Sequence, residues 1–147
     1  MRVVSVMWPF RKKITALDDF GRSDLHYAAR DSDLAAVQKL VTLGADVNLQ
    51  DKQGWTPLHF AAQALSKEVT TFLLAHGASV DPVDCYGNTP LFKATYASQD
   101  DGSVIRALRN AGADPRKKNT SGVSPLALAR TIANYDIAQF YSDLQDD

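Results

Sequence analysis

The sequence predicts an all-α solenoid of about four stacked helix-turn-helix repeats, with the connecting β-turns protruding as fingers. Two phrases that recur in fixed phase predict it. "GWTPLHFAAQ" at residues 54–63 is echoed by "GRSDLHYAAR" from Gly21, "GNTPLFKATY" from Gly87 and "GVSPLALART" from Gly122, so the glycines stand 33, 33 and 35 residues apart. "LGADVN" at 43–48 returns as "HGASVD" at 76–81 and "AGADPR" at 111–116 with the same step. A third observation is that each unit encodes only two short helices. Such a pair cannot shield its own apolar face and is stable only when stacked on copies of itself.

The elements of residues 51–83 follow in order. Asp51, Lys52, Gln53 and Gly54 form a polar turn in which glycine takes the positive φ that other residues resist. Thr56 and Pro57 read as the N-cap and first residue of a helix over about Pro57 to Gln63, because the hydroxyl accepts an orphan N–H and proline has none to leave unpaired. Leu58, Ala61 and Ala62 are spaced to face neighbouring helices. Ser66 reads as the next cap, after which Val69, Phe72, Leu73 and Leu74 form the stripe of a second helix that stops at Gly77. Thr89-Pro90 and Ser124-Pro125 repeat the first cap. In the first copy Ser23-Asp24 stands there instead, with Asp24 facing the positive end of the helix dipole.

The motifs "TPLHFAA" at 56–62, "DLHYAA" at 24–29, "TPLFKA" at 89–94 and "GADVN" at 44–48, at a period of about 33 residues, resemble those of ankyrin-repeat proteins. The resemblance runs from about Ile14, where "ITALD" aligns with "VNLQD", and divides the chain into an N-terminal segment, 1–17, and a single domain, 18–147, with repeats at 18–50, 51–83, 84–118 and 119–144. It implies that His26 and His59 hydrogen bond to backbone and bridge neighbouring units. Departures are also visible. The third repeat carries two extra residues, placed in "YASQDDGS" at 96–103, with Phe92 at the motif histidine and Lys93 at a usually apolar position. The fourth has Arg130 where the others have Ala29, Ala62 and Thr95, and no closing glycine, as suits an end cap facing water. The family's glycine after the first helix is here Ser32, Leu65, Ser98 and Ala133, which leaves the inter-helix turns open.

Composition narrows the functional classes. A chain of 147 residues with 45% hydrophobic content buries one ordinary core. A net charge of −1 and a pI near 6.3 give no global reason for polyanion binding. The single cysteine, Cys85, forms no internal disulfide and fits a reducing compartment. The opening "MRVVSVMWPFRKK" has too short an apolar run for an export signal, and no segment reaches the roughly 20 apolar residues of a membrane helix, so a cytoplasmic location is expected. His26, His59 and His76 lack a Cys or second His at ligand spacing, and the 17 acidic residues fall mostly at caps and turns. No metal, cofactor or catalytic activity is expected. The basic clusters Arg11-Lys12-Lys13 and Arg116-Lys117-Lys118, the second flanked by Arg106 and Arg109, read as solvated surface, with phosphate or nucleic-acid binding as the alternative.

Once the recurring letters are assigned to packing, the non-recurring positions carry the information. The resemblance implies partner contacts from the turn tips and the exposed end of each first helix, facing a concave groove. Transferred to this chain, those positions include Phe20, Arg22, Arg30, Asp31, Lys52, Gln53, Trp55, Gln63, Tyr86, Asn88, Tyr96, Ser121 and Val123. Phe20, Trp55, Tyr86 and Tyr96 are read as exposed rings, the class that dominates interface energies. The expected partner is another protein, bound by a monomer. The chain is similar to short bacterial ankyrin proteins, some of which are immunity proteins, so an inhibitor that occludes a toxin or enzyme is the leading expectation. An adaptor joining two proteins is the other.

Overall fold

A computed structural model describes residues 16–145. Three helix pairs follow one another: α1 (Asp24–Arg30) with α2 (Leu34–Thr42), α3 (Pro57–Gln63) with α4 (Lys67–Ala75), and α5 (Pro90–Ala97) with α6 (Ser103–Asn110). Helix α7 (Pro125–Thr131) and a 3-10 helix (Ile137–Tyr141) complete the described chain, which contains no strand. Helices α1, α3, α5 and α7 pack side by side as an inner row, while α2, α4 and α6 form an outer row against them. The expected caps are in place. Thr56 accepts from the His59 N–H at 3.3 Å, Thr89 from Phe92 at 3.2 Å and Ser124 from Ala127 at 3.1 Å.

The core repeats with the sequence. Leu25, Leu58, Leu91 and Leu126, one per unit, are all at most 1% exposed, and burying each is worth about 2 kcal/mol. In the outer row Leu73 and Leu108 are equally buried, and Val37, Thr70 and Ile105 occupy one equivalent site. Gly54 shows why the turn demands glycine: its φ is +83°, and a Cβ there would stand 2.9 Å from the Asp84 Cα of the next turn.

The inter-helix turns left open by the sequence are resolved in two ways. Ser32 and Leu65 adopt the left-handed conformation usually given to glycine, each with φ of +56°. Ser98 does not, with φ of −65° and ψ of 138°. The two extra residues let the third repeat cross from α5 to α6 by a longer loop, 98–102, so no left-handed residue is needed.

The fourth unit corrects an expectation. Its second element is the 3-10 helix and not an α-helix. Ile137, Phe140 and Tyr141 supply only about one turn of apolar stripe, and a 3-10 turn brings residues three apart onto one side. All three are buried. The Tyr141 hydroxyl lies 2.6 Å from Thr95 Oγ1, which itself donates to the Leu91 carbonyl at 2.7 Å, so the phenol is the donor to Thr95. Thr95 thus departs from the alanines of earlier repeats because this cap needs an acceptor. Burial pushes the Tyr141 phenol up to about 12.

Candidate functional site

Each turn is organised by one acidic or amide side chain. Asp51 Oδ1 accepts from the Gln53 and Trp55 N–H groups at 2.9 and 2.8 Å, and Asp84 Oδ1 from Tyr86 and Asn88 at 2.9 Å. Asn119 Oδ1 does the same for Ser121 and Val123 at 3.0 Å. Successive turns are then stitched together through the tips: Lys52 donates to the Phe20 carbonyl at 2.9 Å, Cys85 to Gln53 at 2.9 Å and Thr120 to Tyr86 at 3.0 Å. These bonds fix the tips in a row.

Behind the tips runs a ladder of cations and rings. Arg22 pairs with the second oxygen of Asp51 at 3.0 Å and lies 5.0 Å from the centroids of both Phe20 and Phe60. Phe60 packs on Trp55 at 4.8 Å, and the Lys93 ammonium stands 4.2 Å above the Trp55 ring. Lys93 in turn lies 3.1 Å from the second oxygen of Asp84, although no aligned hydrogen bond closes that atom. Both carboxylates have side chains 0% exposed. The two joints therefore use the same parts in exchanged places. At the first, the turn supplies the cation and the next helix the ring; at the second, the turn supplies the ring Trp55 and the helix the cation Lys93. At the third joint the equivalent residues are Asn88 and Leu128, no cation is present, and the acid has become Asn119, which donates to Asn88 Oδ1 at 2.9 Å.

The histidines join units as the family resemblance implied. His59 Nδ1 accepts from the Thr56 N–H at 3.0 Å, leaving Nε2–H to donate to the Asn88 carbonyl of the next turn at 2.9 Å. His26 repeats this with Ser23 and the Trp55 carbonyl, both at 3.0 Å. Burial pushes the His59 ring down to about 4 and lowers His26 as well. Both are neutral at pH 7.

Between the second and third repeats lies a cavity of about 250 Å³ lined by Trp55, Gln63, Asn88, Phe92, Lys93 and Tyr96. It brings together four of the sequence-selected positions, Trp55, Gln63, Asn88 and Tyr96. Phe92 and Lys93 stand out in the sequence only as departures from the motif. Both break the internal repeat, and both border the same cavity, so the break was itself the signal.

The remaining selected residues are spread along the groove. Phe20 and Tyr86 are 59% and 65% exposed at tips, and Tyr96 is 71% exposed. Lys52, Gln53 and Ser121 are exposed on the same row of tips, and Val123 is half-buried. Arg30 pairs with its neighbour Asp31 at 2.9 Å on the open surface. One expectation requires correction: Trp55 is not an exposed ring, because Phe60 and Lys93 cover it. Arg22 is held largely inside by Asp51 and two rings.

The basic residues near the C-terminal end are engaged in packing. Arg109 makes a bidentate pair with Asp143 at 2.8 and 2.7 Å and donates to the Phe140 carbonyl, Arg106 stacks on Phe140, and Arg116 donates to the Gln145 carbonyl. The cluster Arg11-Lys12-Lys13 lies outside the described residues. Cys85 is exposed. Among the described residues no group of three or more His, Cys, Asp or Glu stands where it could hold a metal ion, and no helix is long and apolar enough to cross a membrane.

Comparison with curated proteins gives no match. A family model described as ankyrin repeats, three copies, matches residues 25–119, and with the helix pairs, stitched turns and histidine bridges in place the chain belongs to the ankyrin-repeat family, whose members are protein–protein interaction modules.

Proposed function

We propose that this chain binds another protein in its concave groove and silences it by occlusion, as an inhibitor of the immunity type acting in the cytoplasm. The observation that carries the reading is the cavity between the second and third repeats. There the chain abandons its own repeat at Phe92, Lys93 and Tyr96, and the result is an apolar recess with amide groups at its rim. The Lys93 charge is matched by Asp84, so the recess suits a neutral, apolar side chain of the partner. Rings and amides around an apolar recess are the pattern of an interface hot spot. The engagement of Arg106, Arg109 and Arg116 in the C-terminal turn weighs against a phosphate-binding role for that cluster.

Tyr96 provides the clean test, because its ring is 71% exposed. Proteins captured from the source cell by the intact chain are compared with those captured by Tyr96→Ala. The variant is expected to keep its melting temperature and to lose roughly 2 kcal/mol of affinity for the specific partner. Equal affinity of a folded variant would remove the cavity from the interface. An inhibitor silences the partner's activity at one to one, whereas an adaptor leaves it active and forms a ternary complex.

A further inference from the structure

The loops that close the outer helices are clasped to one another by a single side chain per joint. At the first joint Asn48 makes both halves of the clasp: its Oδ1 accepts from the Ser79 N–H at 2.8 Å, and its Nδ2 donates to the Gly77 carbonyl at 3.0 Å. One repeat later the residue is Asp81. Its Oδ2 accepts from the Asp114 N–H at 3.0 Å, reproducing the first half, since Ser79 and Asp114 are equivalent. By the repeat, its Oδ1 corresponds to the Asn48 amide nitrogen, and the Gly112 carbonyl to that of Gly77. Asp81 Oδ1 is buried and lacks a partner. If the joint copies the first, two acceptors meet there unless the carboxyl brings a hydrogen.

We propose that, as pH falls, Asp81 takes up a proton more readily in the folded chain than in the unfolded one and donates it to the Gly112 carbonyl, making a clasp between the loops after α4 and α6 that strengthens in acid. A protonated carboxyl has the same donor and acceptor pattern as the Asn48 amide, so it satisfies both halves of the joint. Ionisation replaces the donor with a buried, repelling oxygen. Charged neighbours come from the following loop, where Asp114 and Lys117 act with opposite signs. Burial is the largest influence and holds the carboxyl above its ordinary value, against the Asp114 N–H bond that favours ionisation. The sign follows. With a folded pKa above the unfolded value of about 3.8, the contribution is full below that value and is lost as pH rises through the folded pKa. The device sits at the same joint, between the second and third repeats, as the cavity lined by Trp55 and Tyr96.

Urea unfolding of the intact chain and of Asp81→Asn from pH 7.5 to pH 4.5 tests it, with carboxyl carbon shifts of Asp81 read by NMR. Asp81→Asn has a permanent donor and is expected to be the more stable at pH 7.5. Its advantage in unfolding constant shrinks by up to about tenfold per pH unit as the wild-type acid gains its proton. Titrations common to both proteins cancel in the ratio. The reciprocal Asn48→Asp is expected to install the same dependence at the first joint. A carboxyl midpoint at or below 3.8, or a stability ratio flat with pH, means an ionised Asp81 satisfied by water and overturns the proposal.

Discussion

Single residues show where the repeat rule is broken for a reason and where it is not. Thr70 occupies the site held by Val37 and Ile105 in the flanking repeats, is fully buried, and its hydroxyl has no partner. Replacing it by the isosteric Val removes an unsatisfied polar atom, so Thr70→Val is expected to raise unfolding free energy by about 1 kcal/mol in urea titration. Gly102 is a different case. Its φ of −92° suits any residue, but a Cβ there would overlap the Phe140 ring of the C-terminal cap. Gly102→Ala is therefore expected to destabilise by about 1–3 kcal/mol, seen as a lower melting temperature and weaker protection of the cap amides in hydrogen exchange. Unchanged protection would mean the ring moves aside freely.

At the level of elements, the turns and inner helices are coupled by charge balance. Asp51 and Asp84 are buried acids that each organise a turn with one oxygen and meet a cation with the other. Where no cation arrives, the acid is Asn119. The third joint is thus a neutral version of the second, made by the same chain. Lys93→Leu is expected to destabilise by about 3 kcal/mol, since it strands a buried carboxylate. Adding Asp84→Asn is expected to recover most of that loss, because Leu128 and Asn119 already coexist one repeat later. A double variant no better than the single would show that Lys93 acts mainly through its stem packed on Trp55. The ring and cation exchange also explains why Lys93 is tolerated on an inner helix: it fills the place of Phe60 and reverses the polarity of the pair.

At the scale of the whole molecule, the first three units are held together by neutral histidines that each serve two of them. His59 Nδ1 already accepts an N–H, so a second proton there would face a donor. With the folded value pushed down to about 4 against an unfolded 6.5, the unfolded chain binds more protons in that interval. Stability is expected to be level above pH 6.5 and to fall by up to roughly 3 kcal/mol as pH drops towards 4, with His26 adding in the same direction. Urea midpoints across that range measure the slope. His59→Phe, which copies the side chain found at the equivalent Phe92, is expected to be shallower; an equal slope would assign the effect elsewhere. Carboxylates held below their ordinary value, such as Asp143 under Arg109, lose their contribution only at lower pH, whereas Asp81, held above it, acts in this window with the opposite sign, so the slope is read in the Asp81→Asn background.

The linear chain was enough to set the period, the caps, the bounds of α3 and the inward faces of the inner helices, because these depend on local rules: hydroxyl before proline, glycine at positive φ, leucine on one stripe. It also singled out the residues that escape the repeat. Which of those residues face outward together was settled by folding. Trp55 and Arg22 were legible as ring and charge but not as covered, because their covers, Lys93 and Asp51, lie in the next repeat along the chain. The fourth unit likewise depended on distant partners: Tyr141 takes the inward place offered by Thr95, and Phe140 the space left at Gly102. Local sequence specifies each unit, whereas the joints between units are contacts some 30 residues apart, and only the folded stack brings those groups into reach.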